Sequence, residues 1–155
     1  MKVIFLDIDG VIITRKTCRK WPPKADPTCV EVLNELIKRT GAVIVVSSCW
    51  RVGRTVDELQ ELLDGWGVKG IVIGRTGAIS DKIRGLEIGE WLLSKSPDEV
   101  SSFVIIDDDR DMGTFMRRLV KTEFATGFTV QHLDKAVSIL EKKYHGWKGS
   151  DLCVG

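Results

Sequence analysis

The chain has 155 residues, 43% hydrophobic and 29% charged, with 23 basic against 22 acidic side chains and a formal net charge of +1. That length suits one domain with a core large enough to fold alone. The balanced charge excludes a general attraction to nucleic acid or membrane, so any such preference must come from a local patch. No apolar run is long enough to span a bilayer. The first apolar run carries one Lys and ends in Asp, which is not the pattern of a signal peptide. Cysteines stand at 18, 29, 49 and 153 with no C-x-x-C pair, and there are only two histidines, so a structural zinc site is not expected. A cytoplasmic setting with no membrane partner is the expectation.

In chain order, Lys2 to Leu6 is an apolar run of strand length that ends in Asp7 and Asp9, followed by Gly10. Val11 to Thr28 has no helical period and reads as a loop or small hairpin. It carries Arg15, Lys16, Arg19, Lys20 and then Trp21. Asp26-Pro27 is a helix start, and Val30, Leu33 and Ile37 recur at helical spacing up to Gly41. Ala42 to Val46 is a β-branched run that suits a strand buried on both faces, and it ends in Ser47. Thr55 and Glu58 form a capping box for a helix that Gly65 ends. Val68 to Ile73 is expected as a strand, Gly74 to Gly85 as a loop, and Leu86 to Lys95 as a helix. Phe103 to Ile106 is a strand ending in Asp107, Asp108 and Asp109, and Leu119 to Thr122 a short strand. Gln131 to Lys143 is a last helix. Residues 1–145 read as a single domain, with 146–155 a flexible tail.

Strands alternate with helices throughout, and the strands are nearly continuous apolar runs. This predicts a three-layer α/β/α, Rossmann-like fold around a central, mainly parallel five-stranded sheet. In such sheets ligands bind beyond the carboxyl ends of the strands. Three strands place reactive groups at that edge: Asp7 and Asp9, Ser47, and Asp107 and Asp108. Two carboxylates about 4 Å apart repel by roughly 4 kcal/mol at an effective dielectric near 20. A divalent cation relieves the repulsion, and an all-oxygen donor set suits Mg²⁺ rather than zinc or copper. Mg²⁺ held by carboxylates commonly shares its shell with phosphate, which points to phosphoryl chemistry.

Asp7 is then placed as the nucleophile and a metal ligand. Asp9, two residues on, is the proton carrier, with its backbone carbonyl as a further metal ligand. Ser47 would hydrogen-bond a phosphate oxygen. The cation that offsets charge on the transferring group is Arg84 or, alternatively, Lys82, with Arg51 as a second contact. Cys49 reads as a partly buried free thiol rather than a nucleophile.

Phe5-Leu6-Asp7-Ile8-Asp9-Gly10-Val11 resembles motif I of the haloacid dehalogenase-like (HAD) phosphatases. Val43 to Ser47 looks like motif II, Arg84-Gly85 falls where the family carries its motif III Lys, and Ile105-Ile106-Asp107-Asp108 resembles motif IV. The four motifs stand in family order. The pattern Ser47-Ser48-Cys49-Trp50-Arg51 with Arg84-Gly85-Leu86-Glu87-Ile88 is similar to HAD domains associated with RNA-repair proteins. The resemblance implies an aspartyl-phosphate on Asp7, acid/base work by Asp9, and a Mg²⁺ site from Asp7, the Asp9 carbonyl and motif IV. It makes Asp108 the direct ligand, with Asp107 in support. Asp109 and Asp111 are expected as solvated loop residues, with a supporting role open to Asp111.

Neither interval used by relatives for a cap domain has room for one here, so the site is expected to be capless and open. The expected substrate is a phosphorylated nucleotide or polynucleotide end, and Arg15 to Trp21 is a candidate for tracking it. The competing reading of that loop is a solvated basic segment with Trp21 packed on the core. The competing functions are a phospho-accepting or phosphate-binding module without turnover and a metal-dependent nuclease. Neither requires the spacing of Asp7 and Asp9 together with Ser47 and Arg84.

Overall fold

β-branched and aromatic residues crowd the strands, and the alternate faces of those strands fill two separate cores. The computed structural model describes residues 1–78 and 83–146. The strands are β1 (Lys2–Leu6), β2 (Val43–Val46), β3 (Val72–Arg75), β4 (Ser102–Asp107) and β5 (Leu119–Lys121). The helices are α1 (Pro27–Thr40), α2 (Val56–Gly65), α3 (Arg84–Leu93) and α4 (Val130–Glu141). Short 3₁₀ turns at Cys49–Arg51 and Gly113–Arg118 lie between β2 and α2 and between β4 and β5. The sheet runs β3-β2-β1-β4-β5, and every neighbouring pair is parallel. β1 therefore lies at the centre, and its residues from Val3 to Leu6 are fully buried.

Period-two alternation decides which helix covers which face. Ile4, Leu6, Ile44, Val46 and Ile106 pack with Leu33 of α1, Leu59 and Leu63 of α2, and Leu140 of α4. Val3, Phe5, Val45, Phe103 and Ile105 pack with Ile88 and Trp91 of α3 and with Phe115. Phe5 sits edge-on to both Trp91 and Phe103, at 5.4 and 5.6 Å between centroids. This is the expected three-layer α/β/α fold.

The helix ends follow local chemistry. The Asp26 side chain accepts the Thr28 N–H to start α1, and Gly41 ends it in the left-handed conformation, φ 67°. Thr55 and Glu58 close the capping box of α2. Two elements start two or more residues from where they are expected. β3 begins at Val72 rather than Val68. Gln60 of α2 caps its start, accepting the Val72 N–H and donating to the Gly70 carbonyl, so residues before it pack as a loop. α3 begins at Arg84 rather than Leu86, and its cap comes from far along the chain. The Arg84 N–H donates to Asp111 Oδ2 and the Gly85 N–H to the Asp111 carbonyl. A Cβ at Gly85 would meet the Met112 carbonyl oxygen at 2.2 Å, so only glycine permits this approach.

The ends of β2, β3 and α3 are tied by one side chain. Arg51 is 4% exposed, and its guanidinium donates to the carbonyls of Ser47, Ser48, Thr76 and Gly77 and to Glu87 Oε2. The Arg51–Glu87 pair is 2.8 Å long and buried on both sides. Removing one partner of a buried pair strands the other and typically costs about 3–5 kcal/mol. Arg51→Ala should therefore lower unfolding free energy by an amount in that range, read from urea denaturation. A loss below about 1 kcal/mol, the scale of a surface pair, would show that the brace is dispensable.

Candidate active site

The parallel ladder continues one residue beyond each strand and fixes the site. The Asp7 N–H donates to the Ile106 carbonyl, Ser47 N–H to Leu6, Thr76 N–H to Val46, and Thr122 N–H to Asp107. Asp7, Ser47, Thr76 and Asp107 are thereby brought to one sheet edge. The chain then turns at Gly10, φ 80°, whose carbonyl accepts a 2.6 Å hydrogen bond from Thr122 Oγ1. A Cβ at Gly10 would lie 2.3 Å from Asp108 Oδ2. Its absence lets the Asp108 carboxylate come in against the motif I loop.

Asp7, Asp107 and Asp108 each offer a carboxylate oxygen, and these oxygens all lie within 4.8 Å of one another. Asp7 is 5% exposed and Asp107 fully buried. Burial raises the Asp7 pKa to about 8, with Asp107 and Asp108 pushing the same way and Arg84 opposing. Burial likewise raises that of Asp107, against the pull of Arg84 and the Asp109 N–H. Arg84 Nη1 lies 2.6 Å from Asp107 Oδ2 and 3.1 Å from Asp7 Oδ1. Burial works against the Arg84 charge, but Asp7 and Asp107 outweigh it and hold the guanidinium protonated. One guanidinium offsets only part of the charge that the three clustered carboxylates carry when ionised. An oxygen-only donor set in that state fits a hard divalent cation.

The other expected site residues divide. Asp9 is exposed and stands outside the carboxylate cluster; its Oδ2 accepts a 3.1 Å hydrogen bond from Trp50 Nε1. Ser47 Oγ is buried and has no hydrogen-bond partner among the described residues, the state of a donor that waits for a ligand. Arg51 does not reach the cluster. Its donors are spent on the brace between β2, β3 and α3, which corrects the expectation of a phosphate contact. Lys82 lies outside the described residues, as do residues 147–155 of the expected tail. Cys49 is exposed, not partly buried.

Sequence reasoning missed three groups. Trp50 holds the Asp9 carboxylate, and only the resemblance pattern drew attention to it. Thr76 Oγ1 is a second buried hydroxyl with no partner among the described residues. Asp111, expected as a solvated loop residue with a supporting role left open, takes an unforeseen form of that support: it caps α3 directly behind Arg84. Trp21 is 92% exposed, which sets aside its packing on the core.

The sequence model of the HAD domain in Swiss Army Knife RNA repair proteins matches residues 3–133. The chain belongs to that family, and membership implies a phosphatase-like hydrolase. Among curated proteins no match is found. Within the described residues no helix is long and apolar enough to cross a membrane.

Two predictions follow from the cluster. Between about pH 4, near the ordinary Asp value, and pH 8 the folded protein keeps a proton on Asp7 that the unfolded chain has lost. Folding takes up that proton, so this carboxyl's contribution to stability falls as pH rises through the window. The metal-free thermal midpoint should therefore fall more steeply towards alkaline pH in wild type than in Asp7→Asn. Added divalent cation should stabilise wild type most at the alkaline end. Parallel pH profiles for the two proteins would contradict the assignment. Secondly, Gly10→Ala should push Asp108 out of the cluster and weaken divalent-cation affinity by about tenfold or more, as loss of a supporting contact does. Calorimetric titration showing wild-type affinity would refute that role for Gly10.

Proposed function

We propose that the protein is a Mg²⁺-dependent phosphomonoesterase that works through an aspartyl-phosphate on Asp7, with a phosphorylated nucleotide or polynucleotide end as substrate. The observation that carries this reading is the grouping of Asp7, Asp107 and Asp108 against Arg84, with Asp9 held apart from them. A nuclease needs the acidic cluster but not a separately held second aspartate. A phospho-accepting module needs the acceptor but no group for turnover. The family's description as a domain of RNA repair proteins supports the substrate class.

In this mechanism Asp7, Asp107 and Asp108, with the Asp9 backbone carbonyl as a further ligand, would hold the cation. When bound, it screens the carboxylates and the charge on the phosphoryl group. An Asp7 oxygen attacks phosphorus and the ester P–O bond breaks. Asp9 gives its proton to the leaving oxygen. Asp9, now a base, takes a proton from water as that water attacks phosphorus, and the bond from phosphorus to Asp7 breaks. Ser47 Oγ supplies a hydrogen bond to a phosphate oxygen, and Arg84 a fixed positive charge. Trp50 holds Asp9 ready at the edge of the site. We read the site as capless, with no folded cap over this edge among the described residues, which would let a long substrate reach Asp7.

Purified protein with Mg²⁺ should release phosphate from phosphorylated oligonucleotides or mononucleotides. Asp7→Asn should reduce kcat by at least about a thousandfold, the scale for a lost nucleophile. Asp9→Asn should reduce it by about 10²–10⁴-fold. Absence of phosphate release from nucleotides, oligonucleotides, sugar phosphates and phosphopeptides alike would refute the phosphatase reading.

A further inference from the structure

A second concavity opens beside the phosphate site, and the mechanism does not use it. It has a volume of about 790 Å³, within the range of roughly 300–1,000 Å³ usual for small-molecule sites. One side is the segment Trp21 to Lys24; the other is formed by Trp50, Arg54 and Trp66. Glu61 is an acidic residue on its lining.

Its walls are aromatic and cationic. Trp50 and Trp66 meet edge to face at 5.4 Å between centroids. The Arg54 guanidinium lies 5.2 Å from the Trp50 ring centroid and is fixed by a 2.9 Å hydrogen bond to the Trp50 carbonyl. Trp21 projects almost fully into solvent on the opposite side. An exposed Trp loses apolar burial and is not explained by packing. Between Arg15 and Lys24 the chain has five basic residues and no acidic one. The base of that loop is pinned, with Arg15 N–H donating to Phe124, Cys18 N–H to Thr14 and Thr14 Oγ1 to Asp26. Arg15, Lys16, Arg19, Lys20 and Lys24 are all exposed.

The cleft is continuous with the catalytic edge through one residue. Trp50 lines it and also donates from Nε1 to the Asp9 carboxylate. A ligand in the cleft is thus one indole away from the proton carrier.

We propose that this cleft is a nucleobase subsite: it stacks the base of a single-stranded polynucleotide end between Trp21 and the Trp50–Arg54 wall while the terminal phosphate reaches Asp7. Aromatic and guanidinium planes accept any base face, and the flanking cations track the backbone. A duplex end, whose bases stay stacked, fits this arrangement poorly. The inference rests on the phosphomonoesterase reading for its catalytic test, and a binding test stands apart from it.

The catalytic test compares kcat/KM, with Mg²⁺, for a short single-stranded oligoribonucleotide with a terminal phosphate and for glycerol phosphate. Trp21→Ala and Arg54→Ala should each lower the oligonucleotide-to-glycerol ratio by at least about fivefold, the low end of what stacking one base contributes. Trp21→Ala should lose that effect when the terminal nucleotide is abasic. An unchanged ratio in both variants, with wild type active on both substrates, overturns the subsite and leaves the phosphatase standing. The binding test titrates the Asp7→Asn protein with the same oligonucleotide lacking its phosphate and follows tryptophan fluorescence. Quenching that weakens at least about fivefold in affinity on adding Trp21→Ala supports the subsite, even if no substrate is hydrolysed. Equal affinity with and without Trp21, or tighter binding of a duplex than of the single strand, overturns it. Trp21 is exposed, so its replacement leaves the fold intact.

Discussion

The repulsion among Asp7, Asp107 and Asp108 is the constraint on which the surrounding structure depends. Three carboxylates within 4.8 Å at the end of two adjacent central strands would oppose folding if left alone. The protein answers with Arg84, set at the first turn of α3, where the positive end of the helix also faces negative charge. That helix start has to come very close to the chain after β4. Gly85 removes the Cβ that would block it, and Asp111 supplies the cap. Behind it, Arg51 and Glu87 tie α3 to the ends of β2 and β3, so the cation cannot drift from the carboxylates. The negative charge that Arg84 leaves uncompensated suits a hard divalent cation.

The same edge separates two aspartates that stand only two residues apart. Asp7 is drawn inside by the ladder to β4. Asp9 is turned outward by the bend at Gly10 and is held by Trp50. Burial and like charges act on the first, whereas the second keeps contact with solvent. The proposed mechanism gives these two identical side chains different work, as nucleophile and as proton carrier, in keeping with their different environments. Trp50 lines the aromatic cleft and also holds Asp9, so the proposed base subsite and the proposed proton carrier meet at one side chain.

Fold and site were legible in the sequence to unequal degrees. The strand-end aspartates, Ser47 and the order of motifs are local patterns, and they located the sheet edge and the carboxylate cluster. The α1 and α2 caps were equally local, through Asp26, Thr55 and Glu58. The parts that could not be read depend on contacts across long sequence separations. α3 starts two residues early because Asp111, 27 positions on, caps it. β3 starts late because Gln60 binds its first residues from another helix. Arg51 looked like a phosphate ligand because nothing local reveals that Thr76, Gly77 and Glu87 will converge on it. The Trp50–Asp9 hydrogen bond spans 41 residues and has no periodic signature.

The most direct measurement is rapid acid quench during turnover of a labelled phosphomonoester, followed by peptide mapping. The label should appear on the peptide containing Asp7, only with divalent cation present, and should vanish in Asp7→Asn. Turnover in wild type with no protein-bound label at any quench time, or with label on a peptide lacking Asp7, would contradict the assignment of Asp7 as nucleophile.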